Sequence, residues 1–201
     1  MADLEVVVAG GGNAALCAAI TAREKGAAVT LFESAPEKMR GGNTRHTRNL
    51  RASHAEPLET LEDSYTEDEF WDDILKVTHG NTDETLTRLM IRHSPLLLSW
   101  LKARDVHFQP ALSGTLSLHR TNAFFLGGGK TLLNKLYSHA EKIGVSVIYD
   151  SEVTSVAISN NRAHSIDVTT ATNTSTHTTT YGIKHLICLL YTSDAADEGL
   201  G

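Results

Sequence analysis

A short apolar strand, Leu4-Glu5-Val6-Val7-Val8-Ala9, runs directly into Gly10-Gly11-Gly12-Asn13-Ala14-Ala15 and then into a helical pattern of small residues. No other feature of the chain constrains its fold as tightly. A nearly continuous apolar run suits a central parallel strand buried on both faces. A Gly-x-Gly-x-x-Gly/Ala turn between such a strand and a helix lets backbone approach a pyrophosphate and aims helix N-terminal N–H groups at it. The helix is expected from about Asn13 to Lys25, with Ala14, Ala15, Cys17, Ala18 and Ala19 allowing close packing and Gly26 ending it.

Ala28 to Phe32 reads as the second strand, delivering Glu33 to its C-terminal end about twenty residues beyond Gly12. An acid there accepts hydrogen bonds from ribose hydroxyls, whereas a 2′-phosphate needs a cation, so the glycine turn specifies a dinucleotide other than NADP. Just downstream, Gly41-Gly42-Asn43-Thr44 offers backbone N–H groups and a hydroxyl to the flavin half of the same molecule. On local grounds alone it is equally a bare turn.

Between Lys38 and Ala55 there is no acid, but Arg40, Arg45, His46, Arg48, Arg51 and His54 form a local run of cations. Such a run suits a pyrophosphate, an anionic flavin or a polycarboxylate, or else a solvated face. Ser113 to Asn122 is rich in polar donors and could line an active-site wall, and its His119-Arg120 pair has acid/base and carboxylate-binding chemistry. A structural role is the plainer reading of that pair. No Ser/His/Asp or metal constellation stands out.

The order of elements is α/β with a helical insertion. Thr66-Glu67-Asp68-Glu69 forms a capping box ahead of a helix to about Thr78, Asn81-Thr82-Asp83-Glu84 opens another, and Ser94-Pro95 opens a third through about Ala103. Phe70, Trp71, Ile74 and Leu75, with Leu89, Trp100 and Leu101, mark the buried faces. Gly127-Gly128-Gly129 precedes a helix from about Lys130 to Ile143, and Val145 to Tyr149 resumes the sheet. From Val153 to about Tyr181 a β-meander is expected, with Ile166 and Val168 on one face and Ser165, Asp167 and Thr169 on the other. Gly182 to Leu190 reads as a further buried strand, and residues 191–201 as an artefactual tail on a natural protein that continues differently.

Composition excludes several classes. With 18 Lys and Arg against 24 Asp and Glu, the net charge of -6 offers no field for nucleic acid. The acidic start, Met1-Ala2-Asp3-Leu4-Glu5, lacks the basic region of an export signal, and no membrane span is expected. Two cysteines, Cys17 and Cys188, neither staple a fold nor hold a metal, which fits a reducing cytoplasm.

In order and spacing, Gly10 to Ala19, Met39 to Arg51 and Ser113 to Ser117 resemble the flavoproteins of the fumarate reductase and succinate dehydrogenase family, and within it the FAD-dependent tricarballylate dehydrogenases. The likeness runs from about Asp3 to Leu186, about the N-terminal half of such an enzyme. It implies a Rossmann-like FAD-binding domain over residues 1–190, truncated, with a parallel central sheet, a helical insertion at about 60–125 and a β-meander. It implies contacts to FAD from Gly10, Gly11, Gly12, Asn13, Ala14, Ala15, Glu33, Ser34, Arg40, Gly41, Gly42, Asn43, Thr44 and Val153. It further implies dehydrogenation of a small polycarboxylate, tricarballylate to cis-aconitate, with electrons leaving through a membrane-associated iron–sulfur partner. Asn43 stands where succinate dehydrogenases attach FAD through a histidine, so FAD is expected to be non-covalent. The family's proton donor and substrate cap fall beyond Leu190, so no catalytic residue is carried over and no turnover is expected of this chain alone. Corrin-biosynthesis, fumarate and ketosteroid flavoenzymes have similar FAD-binding halves. A non-catalytic flavin- or nucleotide-binding module and an NAD-dependent dehydrogenase are the rival readings.

Overall fold

A computed structural model describes residues 3–111, 118–171 and 175–190. In chain order the regular elements are β1 (Asp3–Ala9), α1 (Asn13–Glu24), β2 (Val29–Phe32), β3 (Asn49–Arg51), α2 (Glu67–Thr78), α3 (Glu84–Lys102), β4 (Asn122–Phe124), α4 (Gly128–Lys142), β5 (Ser146–Ile148), β6 (Ser151–Ser159), β7 (Arg162–Ala171) and β8 (Thr176–Cys188). The fold is α/β with a mostly parallel central sheet, as the order of apolar runs predicts. His46–Lys135 forms one compact unit and the described residues on either side form another, the second boundary falling within α4.

The unit that contains the glycine turn is built on a six-stranded sheet in the order β5-β2-β1-β8-β7-β6. β5, β2, β1 and β8 are parallel, while β7 and β6 run antiparallel at one side. Val7, Val8 and Ala9 have no exposure, the burial on both faces that a central parallel strand requires. α1 packs on β1 and β2 and buries Ala15, Leu16, Ala19 and Ile20. On the meander side, Val7, Ala9 and Phe32 pack with Val153, Ile166, Val168 and Ile183. Truncating one of these, such as Ile166→Ala, removes burial and leaves a void, at a cost of about 2–5 kcal/mol.

The meander and the strand after it are one element. Gly182 pairs with Ser165 of β7 and also with Asp3 of β1, so β8 begins as the last meander strand and continues into the parallel core. Its Thr-rich first half is exposed, and of the apolar stretch beyond Gly182 only Ile183 is buried. The buried strand expected from the apolar run Gly182 to Leu190 is thus a half-covered one.

In the other unit, Thr66 and Glu69 form the expected capping box of α2, each side chain bonding the other's backbone N–H, and the Asp83 carboxylate caps α3. The helix expected to begin at Ser94-Pro95 does not begin there, because α3 runs through Pro95. Proline has no N–H for the Ile91 carbonyl, but the Ser94 and Ser53 hydroxyls donate to that oxygen at 2.7 and 3.2 Å. The bond a proline removes is replaced from the side, so the helix persists. Tyr65, Phe70 and Ile91 form one core cluster here, with Trp71 and Ile74 against it. Leu101 is buried as expected, but Leu89 is 48% exposed. β3 and β4 pair as a small antiparallel sheet. Among the described residues no helix is long and apolar enough to cross a membrane. Ser113 to Ser117 and the tail at 191–201 lie outside the described residues.

Candidate functional site

The turn after β1 is shaped by backbone geometry. Gly10 has φ +107, a conformation side chains oppose, and its N–H donates to the Phe32 carbonyl at 2.9 Å. Gly12 is the N-cap of α1, with no side-chain cap and no acid in the helix's first turn. No acid of the helix itself therefore offsets the positive end of its dipole. Of the first-turn donors, the Asn13 N–H is taken by Thr44 Oγ1 at 3.1 Å, which ties the second glycine element to the helix start. Ala15, at the third small position of the motif, is 1% exposed.

A cavity of about 490 Å³ opens here. Its floor is Gly10, Gly11, Gly12, Asn13, Ala14 and Ala15, and its walls are Glu33 with Ser34, Gly41 to Thr44, and Leu189 with Leu190. Most of the residues singled out from the sequence therefore meet in one place. Leu189 and Leu190 escaped that reading. The signal that would have found them is the carboxyl end of a parallel strand beside β1, where open α/β sheets place ligands.

Glu33 is only 6% exposed, yet it is well supplied with donors. One carboxylate oxygen accepts from the Ala35 N–H at 2.9 Å and the Ser34 hydroxyl at 3.4 Å; the other accepts from the Gly41 N–H at 3.0 Å. Such charge-assisted bonds make burial of an acid tolerable. Glu33 thus also organises the loop from Ser34 to Gly41. Beneath it, the buried Tyr137 hydroxyl donates to the Gly11 carbonyl at 2.8 Å and lies 3.5 Å from Glu33 Oε2. Burial, and next the Glu33 charge, hold this phenol protonated far above the usual tyrosine range.

The adjacent glycines have different reasons to be glycine. A Cβ on Gly11 would collide with the Tyr137 hydroxyl and the Glu33 carboxylate, so Gly11 is fixed by protein packing. A Cβ on Gly12 would meet only Thr44 Oγ1 at 3.5 Å and the Gly41 carbonyl at 3.8 Å, both ordinary contacts. Nothing in the protein forbids a side chain at Gly12. The open space above it, the uncapped helix start and the buried acid fit a pyrophosphate joined to a ribose.

Two expected contact residues are set back from this cavity. Arg40 pairs with Glu37 at 3.1 Å, donates to the Tyr149 hydroxyl at 3.1 Å, and places its guanidinium 4.3 Å from the Tyr137 ring centroid. Val153 is in the apolar core. Within the run of cations His46 and Arg48 are exposed, while the others are engaged or buried. Arg45 donates to the Lys38 carbonyl, Arg51 faces Asp73, and His54 is buried, its imidazole kept neutral by desolvation and then by the Arg120 charge. Arg120 pairs with Glu69 and Asp63, and His119 lies against Phe124, so this pair is built into the unit's scaffold.

Comparison with known proteins agrees with this geometry. Residues 5–188 match the family described as the FAD binding domain. The chain is 29% identical, over 77% of its length, to NADH:fumarate oxidoreductase of Klebsiella pneumoniae (strain 342), of which it spans 17%. Its fold resembles a flavocytochrome c3 fumarate reductase in an open conformation (TM-score 0.75, 21% identity, 92% of this chain and 33% of that one). It also resembles the 3-ketosteroid-Δ4-(5α)-dehydrogenase of Rhodococcus jostii RHA1 (TM-score 0.74, 19% identity, 94% of this chain and 46% of that one). The chain thus spans less than half the length of these relatives. The family match over nearly all of the chain, joined to the glycine turn and its buried acid, establishes that it belongs to the FAD-binding-domain family and that its cofactor is FAD.

Proposed function

We propose that this chain is the FAD-holding part of an oxidoreductase that dehydrogenates a carbon–carbon bond beside the carboxylates of a small polycarboxylate, tricarballylate to cis-aconitate. When bound, FAD supplies the hydride acceptor at its flavin ring. The chain's own residues bind and orient it. Gly10 to Ala15 take the pyrophosphate, Glu33 and Ser34 the ribose, and Gly41 to Thr44 the flavin half, without a covalent bond because Asn43 offers no nucleophile. Arg40 and Val153 support these contacts, Arg40 by bracing the loop that carries Gly41 and Val153 by packing beneath the strands. The electrons leave through an iron–sulfur partner at a membrane, with the enzyme itself in the cytoplasm.

The observation that carries the cofactor assignment is the side-chain-free space at Gly12 beside the buried Glu33. The substrate class rests on the resemblance of Met39 to Arg51. A second reading, reduction of fumarate, is favoured by the relative that bears that activity in its name.

The complete gene product, purified and treated with heat, should release FAD. Tricarballylate should bleach the bound flavin and yield cis-aconitate, with succinate and fumarate as comparison substrates. Reduced flavin reoxidised by fumarate, with no response to tricarballylate, would establish the second reading. A complete protein that carries no flavin would sink both.

A further inference from the structure

Three glycines in a row leave the turn without side chains to fix its peptide planes, since glycine rotates through conformations that a Cβ would forbid. The peptide joining Gly11 to Gly12 has such freedom on both sides, yet one of its ends is held. The Tyr137 hydroxyl, on a fully buried side chain, donates to the Gly11 carbonyl at 2.8 Å. Among the described residues no peptide bond is cis, and in a trans peptide the carbonyl and the following N–H point in opposite directions. Holding the Gly11 carbonyl down toward Tyr137 therefore turns the Gly12 N–H outward, and Gly12 lines the cavity.

We propose that Tyr137 is a positioning residue for the cofactor's pyrophosphate, aiming the Gly12 N–H by anchoring the Gly11 carbonyl. This rests on the reading that the glycine turn receives the FAD pyrophosphate. The ring itself is held independently, with Arg40 on its face, so removing the hydroxyl leaves the packing in place. Glu33 keeps its donors from Ala35 and Gly41 without Tyr137, so the ribose end is also preserved. The loss of the hydroxyl should be felt by phosphate and by little else.

The test compares the 201-residue chain with its Tyr137→Phe variant, using FAD, ADP and adenosine as probes, with Tyr149→Phe as a control that also loses a phenol beside Arg40. Tyr137→Phe should weaken FAD and ADP about tenfold, the effect of one hydrogen bond, while adenosine stays within about twofold. Phosphorus resonances of bound ADP should shift in Tyr137→Phe and stay in place in Tyr149→Phe. Equal binding of FAD and ADP by Tyr137→Phe and the parent chain would overturn the proposal, as would an equal loss for adenosine. Amide spectra of the parent chain supply an arm that needs no variant to fold. ADP should move the Gly12 N–H strongly, and an unmoved Gly12 in a chain that binds ADP would also overturn it. A parent chain with no affinity for FAD or ADP would instead remove the reading beneath it.

Discussion

Two cavities of nearly equal size, about 490 and about 480 Å³, open at opposite ends of β1 and β2, and they differ in what their walls leave unused. At the carboxyl ends stand the uncapped start of α1, a glycine with open space above it, and a buried carboxylate. At the other end, walled in part by Glu5, Arg23, Ala28 and Gly144, the Glu5 and Arg23 side chains are spent on the protein. Arg23, in the last turn of α1, donates to the Ile143 carbonyl at 2.8 Å and the Ala27 carbonyl at 3.1 Å. The Glu5 carboxylate accepts from the Ala28 N–H at 2.9 Å. A cation at a helix C-terminus offsets its dipole. The second cavity is a capped joint, the first an open one, and volume does not distinguish them.

The largest effect should come from filling the open end. Gly12→Val puts a branched side chain where we propose the pyrophosphate binds and should weaken FAD by more than about 100-fold, read as flavin retained through purification. Retention at the parent's occupancy would make the two cavities equivalent. Next in size is Gly11→Ala, one position earlier. Its Cβ collides with Tyr137 and Glu33, so it should destabilise the fold by about 1–3 kcal/mol, seen as a lower midpoint in urea unfolding. A variant as stable as the parent would deny that Gly11 is closed by side chains. At the capped end, Arg23→Ala strips two carbonyls of their donor and should cost about 1–2 kcal/mol of stability while leaving FAD affinity unchanged. Weaker FAD binding by this variant would mean the two ends are coupled.

The open end was readable in the sequence because its determinants are local. Gly10 to Ala15, Glu33 and Gly41 to Thr44 fall within one strand–helix–strand passage, where spacing alone brings them together. The capping box at Thr66 and Glu69 was readable for the same reason. What escaped depends on partners far along the chain. Pro95 sits inside α3 because the carbonyl it abandons accepts from two hydroxyls, Ser94 beside it and Ser53 from another segment. Tyr137 lies under Gly11 from far along the chain, and nothing in its own helix announces an oxygen at that spot. Leu190 reaches the cavity only because β8 is drawn alongside β1. Leu89 fits a buried helical face by period but is exposed, because the period fixes a face and not the width of what covers it. Arg40 and Val153 do not line the cavity: the Arg40 guanidinium faces Glu37 and Tyr149, and Val153 packs in the apolar core.

The smallest expected effect is in the alkaline stability of the open end. Burial pushes the Tyr149 phenol up to about 12, with Arg40 opposing and Glu141 adding to the rise, and it pushes Tyr137 higher still, with Glu33 adding to the rise. In the unfolded chain both phenols titrate near about pH 10. Above that pH the unfolded state loses its protons first while the native state keeps them. The native state then binds more protons, so the free energy of unfolding falls with each further rise in pH. The phenols' contribution is therefore complete below about pH 10, and for Tyr149 it is lost as pH passes through about 12. Urea midpoints measured at about pH 8, 10 and 11 should decline in the parent chain and less steeply in both Tyr149→Phe and Tyr137→Phe, since over this range each native phenol keeps a proton that the unfolded chain gives up. Arg23→Ala, at the capped end, should lower every midpoint without changing the slope. The same slope in all four proteins would mean that the open end contributes nothing to alkaline unfolding, and that the two ends differ only in the ligand they admit.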